Sequence, residues 1–225
     1  MTDFALAPDR RGFLGAATLG AVAGWAELAT ATRTAVAAEE AAGATEFTKW
    51  LDSIGGKHRQ LFDVPEPNEG FGLIWSWVFL ATGPGAFGLP EQDLAVVVVL
   101  RHNGLPLAFN DATWSKYKLG EFFKVTDPVS KGPATRNFFL ASKPGDIAIP
   151  DASIDRLLAR GVKVAACSAA IEFYSARLAK QMNLPADQVR KDWTAGLIPG
   201  VQTVPSGVVA INAAHARGCA YCFAG

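Results

Sequence analysis

Cysteine is scarce in this chain: three among 225 residues, with Cys167 alone and Cys219 and Cys222 close together in "CAYC" near the last residue. That number is too small for a disulfide scaffold. No histidine follows Cys222, so the C-x-x-C-H signature of haem attachment is absent. Net charge is also lacking, with 21 basic and 21 acidic residues. A balanced chain argues against nucleic acid or an anionic membrane surface as its main partner. Internal repeats are absent as well, and no pattern in the sequence names a metal site or a cofactor. Hydrophobic residues are plentiful at 50%, enough to bury a full core.

The first residues read as a targeting segment. "DRRGFLG" carries paired arginines, Arg10 and Arg11, and an Ala- and Gly-rich apolar run follows to Ala26. A polar stretch then ends in small residues at Ala37 and Ala38. A charged region, a short apolar region and a small-residue cleavage site in that order form an export signal. The apolar run is shorter than the roughly 20 residues of a membrane-spanning helix. The twin arginine resembles a bacterial Tat signal, which implies passage through the Tat translocase and a periplasmic or extracytoplasmic location. Residues 1–38 are thus expected to be signal, 39–56 a linker with a short helix closed by Gly55-Gly56, and 57–225 one domain. Loss of the signal removes Arg10, Arg11 and Arg33 together with Asp3, Asp9 and Glu27, so the charge balance survives.

Residues 70–90, "GFGLIWSWVFLATGPGAFGLP", carry no charge. Gly83-Pro84-Gly85 is expected to end a helix that starts near residue 70. A helix that is apolar all round belongs in a core or a subunit interface; its near-spanning length keeps a membrane element open as the alternative.

Elsewhere the chain alternates strands and helices. "HRQLFDV" (58–64) reads as a first strand, and the β-branched "LAVVVVLRH" (94–102) as a second one buried on both faces. Residues 113–123 read as a helix, and 124–150, rich in Pro, Gly, Ser and Lys, as a long loop or insertion. Then follow a helix capped by Ser153 and stopped by Gly161, the strand "VKVAAC", helices from Ser168 and after Pro185, the strand "VQTVPS", a helix to Gly218 and a last strand "CAYCFA". This pattern predicts an α/β domain with a five-stranded, mainly parallel sheet and helices on both faces.

Ligands of open α/β sheets bind beyond the carboxyl ends of the strands, where strand order reverses. With a flavodoxin-like order the third strand borders that point, and Cys167 and Ser168 sit at the crevice. A thiol at a helix N-terminus is favoured as thiolate by the dipole. The alternative is a buried cysteine acting as a small hydrophobe. His102 and Asn103 in "LRHNG", Asn68 and Glu69 in "NEG", and Asn110 and Asp111 in "FNDATW" follow the first two strands and are candidate lining residues. Asn110 and Asp111 serve equally well as helix-start residues. A regular last strand puts Cys219 and Cys222 on opposite faces, with Cys222 nearer the level of Cys167 as a candidate second thiol. An irregular tail would instead permit a local disulfide or a metal site.

From "GVKVAACSAAIEFYSARLAKQMNL" through "WTAGLIPGVQTVPSGVVAINAAHARGCAYCFAG" the chain resembles the DsrE/DsrF-like superfamily. The likeness covers roughly residues 57–225 and is strongest after Gly161; the export signal and the insertion depart from the small cytoplasmic members. The resemblance implies a homo-oligomer of small α/β subunits. It also implies sulfur relay, with Cys167 at the position of the persulfide-carrying cysteine and with separate sulfur-donor and acceptor proteins. The competing expectation is a non-catalytic binding or scaffold module for a metal or small ligand, in which the cysteines are structural.

Overall fold

Residues 42–225 are described in the computed structural model of the chain, so the export signal expected at 1–38 lies outside them. Five strands carry the fold: β1 (His58–Val64), β2 (Leu94–Leu100), β3 (Lys163–Cys167), β4 (Val201–Val204) and β5 (Ala220–Phe223). They pair in parallel in the order β4-β3-β2-β1-β5. The central β2 shows why its sequence is a run of valines. Val96, Val98 and Leu100 enter one core with Phe62, Val64, Val164 and Ala166. Val97 and Val99 enter a second core with Leu61, Ala165 and Val204. Side chains alternate across a strand, so a strand covered on both sides must be apolar at every position.

The helices are α1 (residues 42–52), α2 (Phe71–Phe87), α3 (Asp111–Tyr117), α4 (Leu119–Phe122), α5 (Ile154–Ala159), α6 (Ser168–Met182), α7 (Ala186–Ala195) and α8 (Gly207–Ala216). Phe47–Gly225 form one compact unit. Within it, α2, α5, α6 and α7 contribute to the larger core, while Trp50, Leu51 and Ile54 join Ala210 and Ala214 of α8 in the smaller one. Connection geometry explains the division. Each step from β1 to β4 moves the same way across the sheet, and right-handed crossovers then stack their helices on one face. The step from β4 to β5 returns past three strands, so its helix α8 covers the other face.

The five-stranded parallel sheet with helices on both faces is the expected class, but the expected flavodoxin-like order is corrected. That order is 2-1-3-4-5; here β2 lies between β1 and β3, and the reversal falls between β1 and β5. Cys167 on β3 is therefore two strands away from the switch point.

Two helices also differ from expectation. α2 runs through Gly83-Pro84-Gly85 and ends only at Gly88, which is left-handed (φ 65°) and donates its N–H to the Pro84 carbonyl. Proline's fixed φ is helical, and near a helix end it costs a single hydrogen bond. The helix is not buried all round: Leu73, Ile74, Leu80 and Gly83 face the sheet, while Val78 and Phe87 are exposed. Asn68–Phe87 is long and apolar enough to cross a membrane by length and composition, with 39% of that window buried. The expected single helix at 113–123 is two, because Lys118 adopts a left-handed φ of 48° between α3 and α4.

The segment between α4 and α5 holds isolated bridges, Thr126 to Pro133 and Pro144 to Ile147, and no longer strand or helix until residue 150. Buried polar groups hold it in place. The Asn137 amide donates to the Leu107 and Phe109 carbonyls at 2.9 and 2.7 Å and accepts from the Phe139 N–H. Arg136 forms a two-pronged ion pair with the buried Asp146 and lies 3.5 Å from Asp127. Both carboxyl groups are held below their ordinary range: Asp146 chiefly by Arg136, Asp127 chiefly by the Ser130 N–H.

Candidate functional site

At the carboxyl end of β1 the chain turns sharply to enter α2, and the insertion closes over that turn. Between them lies a cavity of about 1000 Å³. Its apolar walls are Phe71, Phe123, Phe138, Phe139, Val125 and Ile147. Its polar groups come from two sources: Glu66, Asn68, Glu69 and Asn103 from the loops after β1 and β2, and Lys124, Lys131 and Asp146 from the insertion. Three residues expected to line the crevice, Asn68, Glu69 and Asn103, are brought together here.

The backbone around this cavity is unusual. Non-glycine residues rarely adopt positive φ, because Cβ crowds the carbonyl. Among the described residues seven do, and four of them line the cavity: Asn68 (38°), Glu69 (52°), Lys124 (58°) and Lys131 (62°). A fifth, His102 (49°), precedes Asn103. Such conformations persist only where the surrounding structure holds them, and they gather at functional sites. The loop ends are fixed by close approach. A Cβ on Gly104 would stand 2.3 Å from the Val64 carbonyl oxygen, and Gly104 donates its N–H to Pro65. Gly70 turns at φ 83° against Phe139, where a Cβ would meet the ring at 3.2 Å.

A polar chain borders the cavity. Asn103 donates to Glu66 at 3.1 Å and accepts from the Tyr174 hydroxyl at 3.2 Å. His102 Nδ1 lies 3.4 Å from Glu66, and its ring meets Tyr174 edge-on. Burial, and then the nearby Glu66 charge, push the Tyr174 hydroxyl pKa up, so it remains a proton donor.

A second cluster lies under α8, at the actual switch point. Asp63 on β1 is 1% exposed and receives two hydrogen bonds from Arg101, at 2.7 and 2.9 Å, and one from Tyr221 on β5 at 2.9 Å. The Asp63 hydrogen bond raises the Arg101 pKa still further, so the guanidinium stays charged. Every carboxylate oxygen is used, which makes the cluster a structural tie across β5, β1 and the end of β2.

The thiols are dispersed, and all three are free. Cys167 is the N-cap of α6, and its Sγ accepts the Ala170 N–H at 3.3 Å. It is 6% exposed and belongs to the larger core, outside the cavity wall. Cys219 is buried in the smaller core, and burial raises its pKa. Cys222 is half-buried against the larger core, so β5 does place the two terminal thiols on opposite faces. Cys222 does not stand at the level of Cys167. It registers with Phe62, which registers with Val98 and Val164, three residues before Cys167. Three strand spacings, roughly 14 Å, separate them sideways, with roughly 10 Å more along the strands. Within one chain Cys222 is out of bridging reach of Cys167.

The remaining expected residues have other work. Asn110 caps α3, its Oδ1 accepting from the Thr113 N–H at 2.9 Å, and Asp111 accepts the Asn137 N–H at 2.7 Å. Asp111 thereby tethers the insertion, and neither residue lines the cavity. Ser168 borders a separate depression of about 530 Å³ with Glu172, Arg190 and Lys191. His215 closes the end of α8, its Nδ1 3.0 Å from the Cys219 carbonyl oxygen. Among the described residues no group of three His, Cys, Asp or Glu side chains is placed to hold a metal. Sequence reasoning missed Glu66, Lys124, Lys131 and the insertion phenylalanines. "NFFL", an aromatic pair inside a Pro- and Gly-rich stretch, was the available signal.

No protein-family model matches the chain, and no curated protein matches it. Among solved structures it is similar to a protein of unknown function from Methanobacterium thermoautotrophicum. The two are 17% identical with a TM-score of 0.38, over 74% of this chain and 99% of that one.

Proposed function

We propose that this protein is a small-molecule binding module whose seat is the cavity between the loop after β1 and the insertion. The observation that supports it is the coincidence of four left-handed, non-glycine polar residues on the wall of one aromatic-lined cavity at the carboxyl edge of a parallel sheet. A pocket of this size with an apolar floor and a few converging polar groups is the usual form of a ligand site. In this reading the protein is exported through its twin-arginine signal and acts outside the cytoplasm as a homo-oligomer.

The test uses a neutral aromatic dye, 1-aminoanthracene, whose fluorescence rises in apolar surroundings. Wild type should bind it saturably. Thr126→Trp, which fills the wall from an exposed position, should weaken binding by about tenfold or more, equivalent to ~1.4 kcal/mol. Equal binding by the two proteins would end the proposal.

A second reading, sulfur relay through a persulfide on Cys167, is favoured by one observation: the Sγ caps α6 and receives the Ala170 N–H. There the Cys167 thiolate would attack the outer sulfur of a persulfide donor, breaking its S–S bond and expelling the donor thiolate, and an acceptor protein's thiolate would then take that outer sulfur and release Cys167 as thiolate. Cys167→Ser should abolish labelling by a persulfide donor; undiminished labelling would remove this reading.

A further inference from the structure

We infer that the occupant of this cavity is an amino-acid-like zwitterion, a free amino acid or short peptide with an aromatic or large apolar side chain. This rests on the cavity being the ligand seat and goes on to name the ligand's chemistry.

The inference follows from which wall charges are already answered. Asp146 is neutralised by Arg136 through two hydrogen bonds. Glu66 is engaged by Asn103 and His102. Among the described residues that leaves the Asn68 amide, the Glu69 carboxylate and the Lys124 and Lys131 ammonium groups without a side-chain partner. These four are the cavity-lining residues whose backbones are left-handed. A left-handed conformation costs roughly 1–2 kcal/mol for a residue with a Cβ, and glycine would avoid that cost. Glu69, Lys124 and Lys131 are exposed and Asn68 is half-buried, so each head group is solvated and free to meet a ligand at the cavity wall.

The two signs come from different segments, the acid and amide from the loop after β1 and the lysines from the insertion. A ligand bearing only an anion would satisfy the lysines and meet Glu69 and Glu66 as like charges. A ligand bearing only a cation would meet two unanswered lysines. A ligand with both groups answers both sets. The same carboxylates disfavour nucleotides and other polyanions. The same cavity is lined by Phe71, Phe123, Phe138 and Phe139, which suit an aromatic or branched apolar body. The cavity volume, at the upper end of ligand pockets, has room for more than one residue.

Three probes that share one ring separate the possibilities: phenylalanine with both charges, 3-phenylpropionate with the anion, and 2-phenylethylamine with the cation. Isothermal titration of the full chain should show phenylalanine binding about tenfold or more tighter than either relative. The double variant Lys124→Gln/Lys131→Gln should weaken phenylalanine and 3-phenylpropionate and tighten 2-phenylethylamine. Glu69→Gln should weaken phenylalanine and 2-phenylethylamine and tighten 3-phenylpropionate. Circular dichroism of each variant verifies the fold. If either single-charge probe equals phenylalanine, or phenylalanine does not bind, the zwitterion assignment is wrong. Continued binding of 1-aminoanthracene in that case would leave the seat standing; loss of both would remove seat and ligand class together.

Discussion

Asp63 shows how one residue can join three strands. It is buried, and Arg101 and Tyr221 both donate to it. Removing one partner from a buried ion pair leaves the other charge unanswered, typically at a cost of 3–5 kcal/mol. Arg101 keeps a quarter of its side chain exposed, so the lower end applies. Asp63→Ala is expected to lose about 3 kcal/mol in urea unfolding; a loss under about 1 kcal/mol would show that the tie is dispensable. Thiol reactivity is set at the same scale. Cys222 is half-buried, Cys167 nearly covered, and Cys219 buried with a raised pKa. Alkylation by iodoacetamide, mapped by peptide mass, should therefore modify Cys222 first and Cys219 last. Modification of Cys219 ahead of Cys222 would contradict the packing of β5.

Among the elements, the insertion depends on contact more than on regular structure. Gly120 in α4 lies so close to the backbone of Ala134 that a Cβ would stand 2.1 Å from its carbonyl oxygen. Backbone cannot yield as a side-chain tip can, so Gly120→Ala must displace the segment that walls the cavity. Limited trypsin digestion should then cut at Lys124 or Lys131 many times faster than in wild type. An unchanged digestion pattern would show that the insertion is held without this contact. α2 and β2 behave differently because their patterns are dense. β2 is recognisable from its valines, and α2 from an uncharged run that packs against β1 and β2. A Cβ on Gly83 would meet Leu94 at 2.6 Å, so this glycine serves packing, although in sequence it reads as a break.

For the molecule as a whole, α7 is fastened to α3 by Asp192. Lys116, Tyr117 and Gln188 all donate to this carboxylate, and they hold its pKa down from 3.8 to about 2. A depressed carboxyl stabilises the fold fully above its unfolded value and loses that contribution as pH falls through the folded one. This part of the stability is present above about pH 4 and declines toward pH 2. Urea midpoints measured from pH 5 to pH 2 should fall less steeply for Asp192→Asn than for wild type. The variant should start lower at neutral pH. Identical slopes would mean that this tie does not govern acid stability.

The five strands, the main helices and the parallel class were legible because burial on both faces forces a continuous apolar strand, and helix starts leave marks such as Pro185 before α7. Three lining residues, Asn68, Glu69 and Asn103, were legible because the loops after parallel strands meet at one edge. Strand order was not, since β-strand patterns state burial and say nothing of neighbours; only the returning connection through α8 put the reversal between β1 and β5. That order separated Cys167 from the switch point and from Cys222. The lysines and phenylalanines of the insertion escaped notice for a related reason. An irregular segment has no period to read, and its position is decided by buried tethers such as Asn137 and the Arg136–Asp146 pair. Local chemistry determined which elements exist. Tertiary contacts over long sequence separations decided which side chains share a cavity.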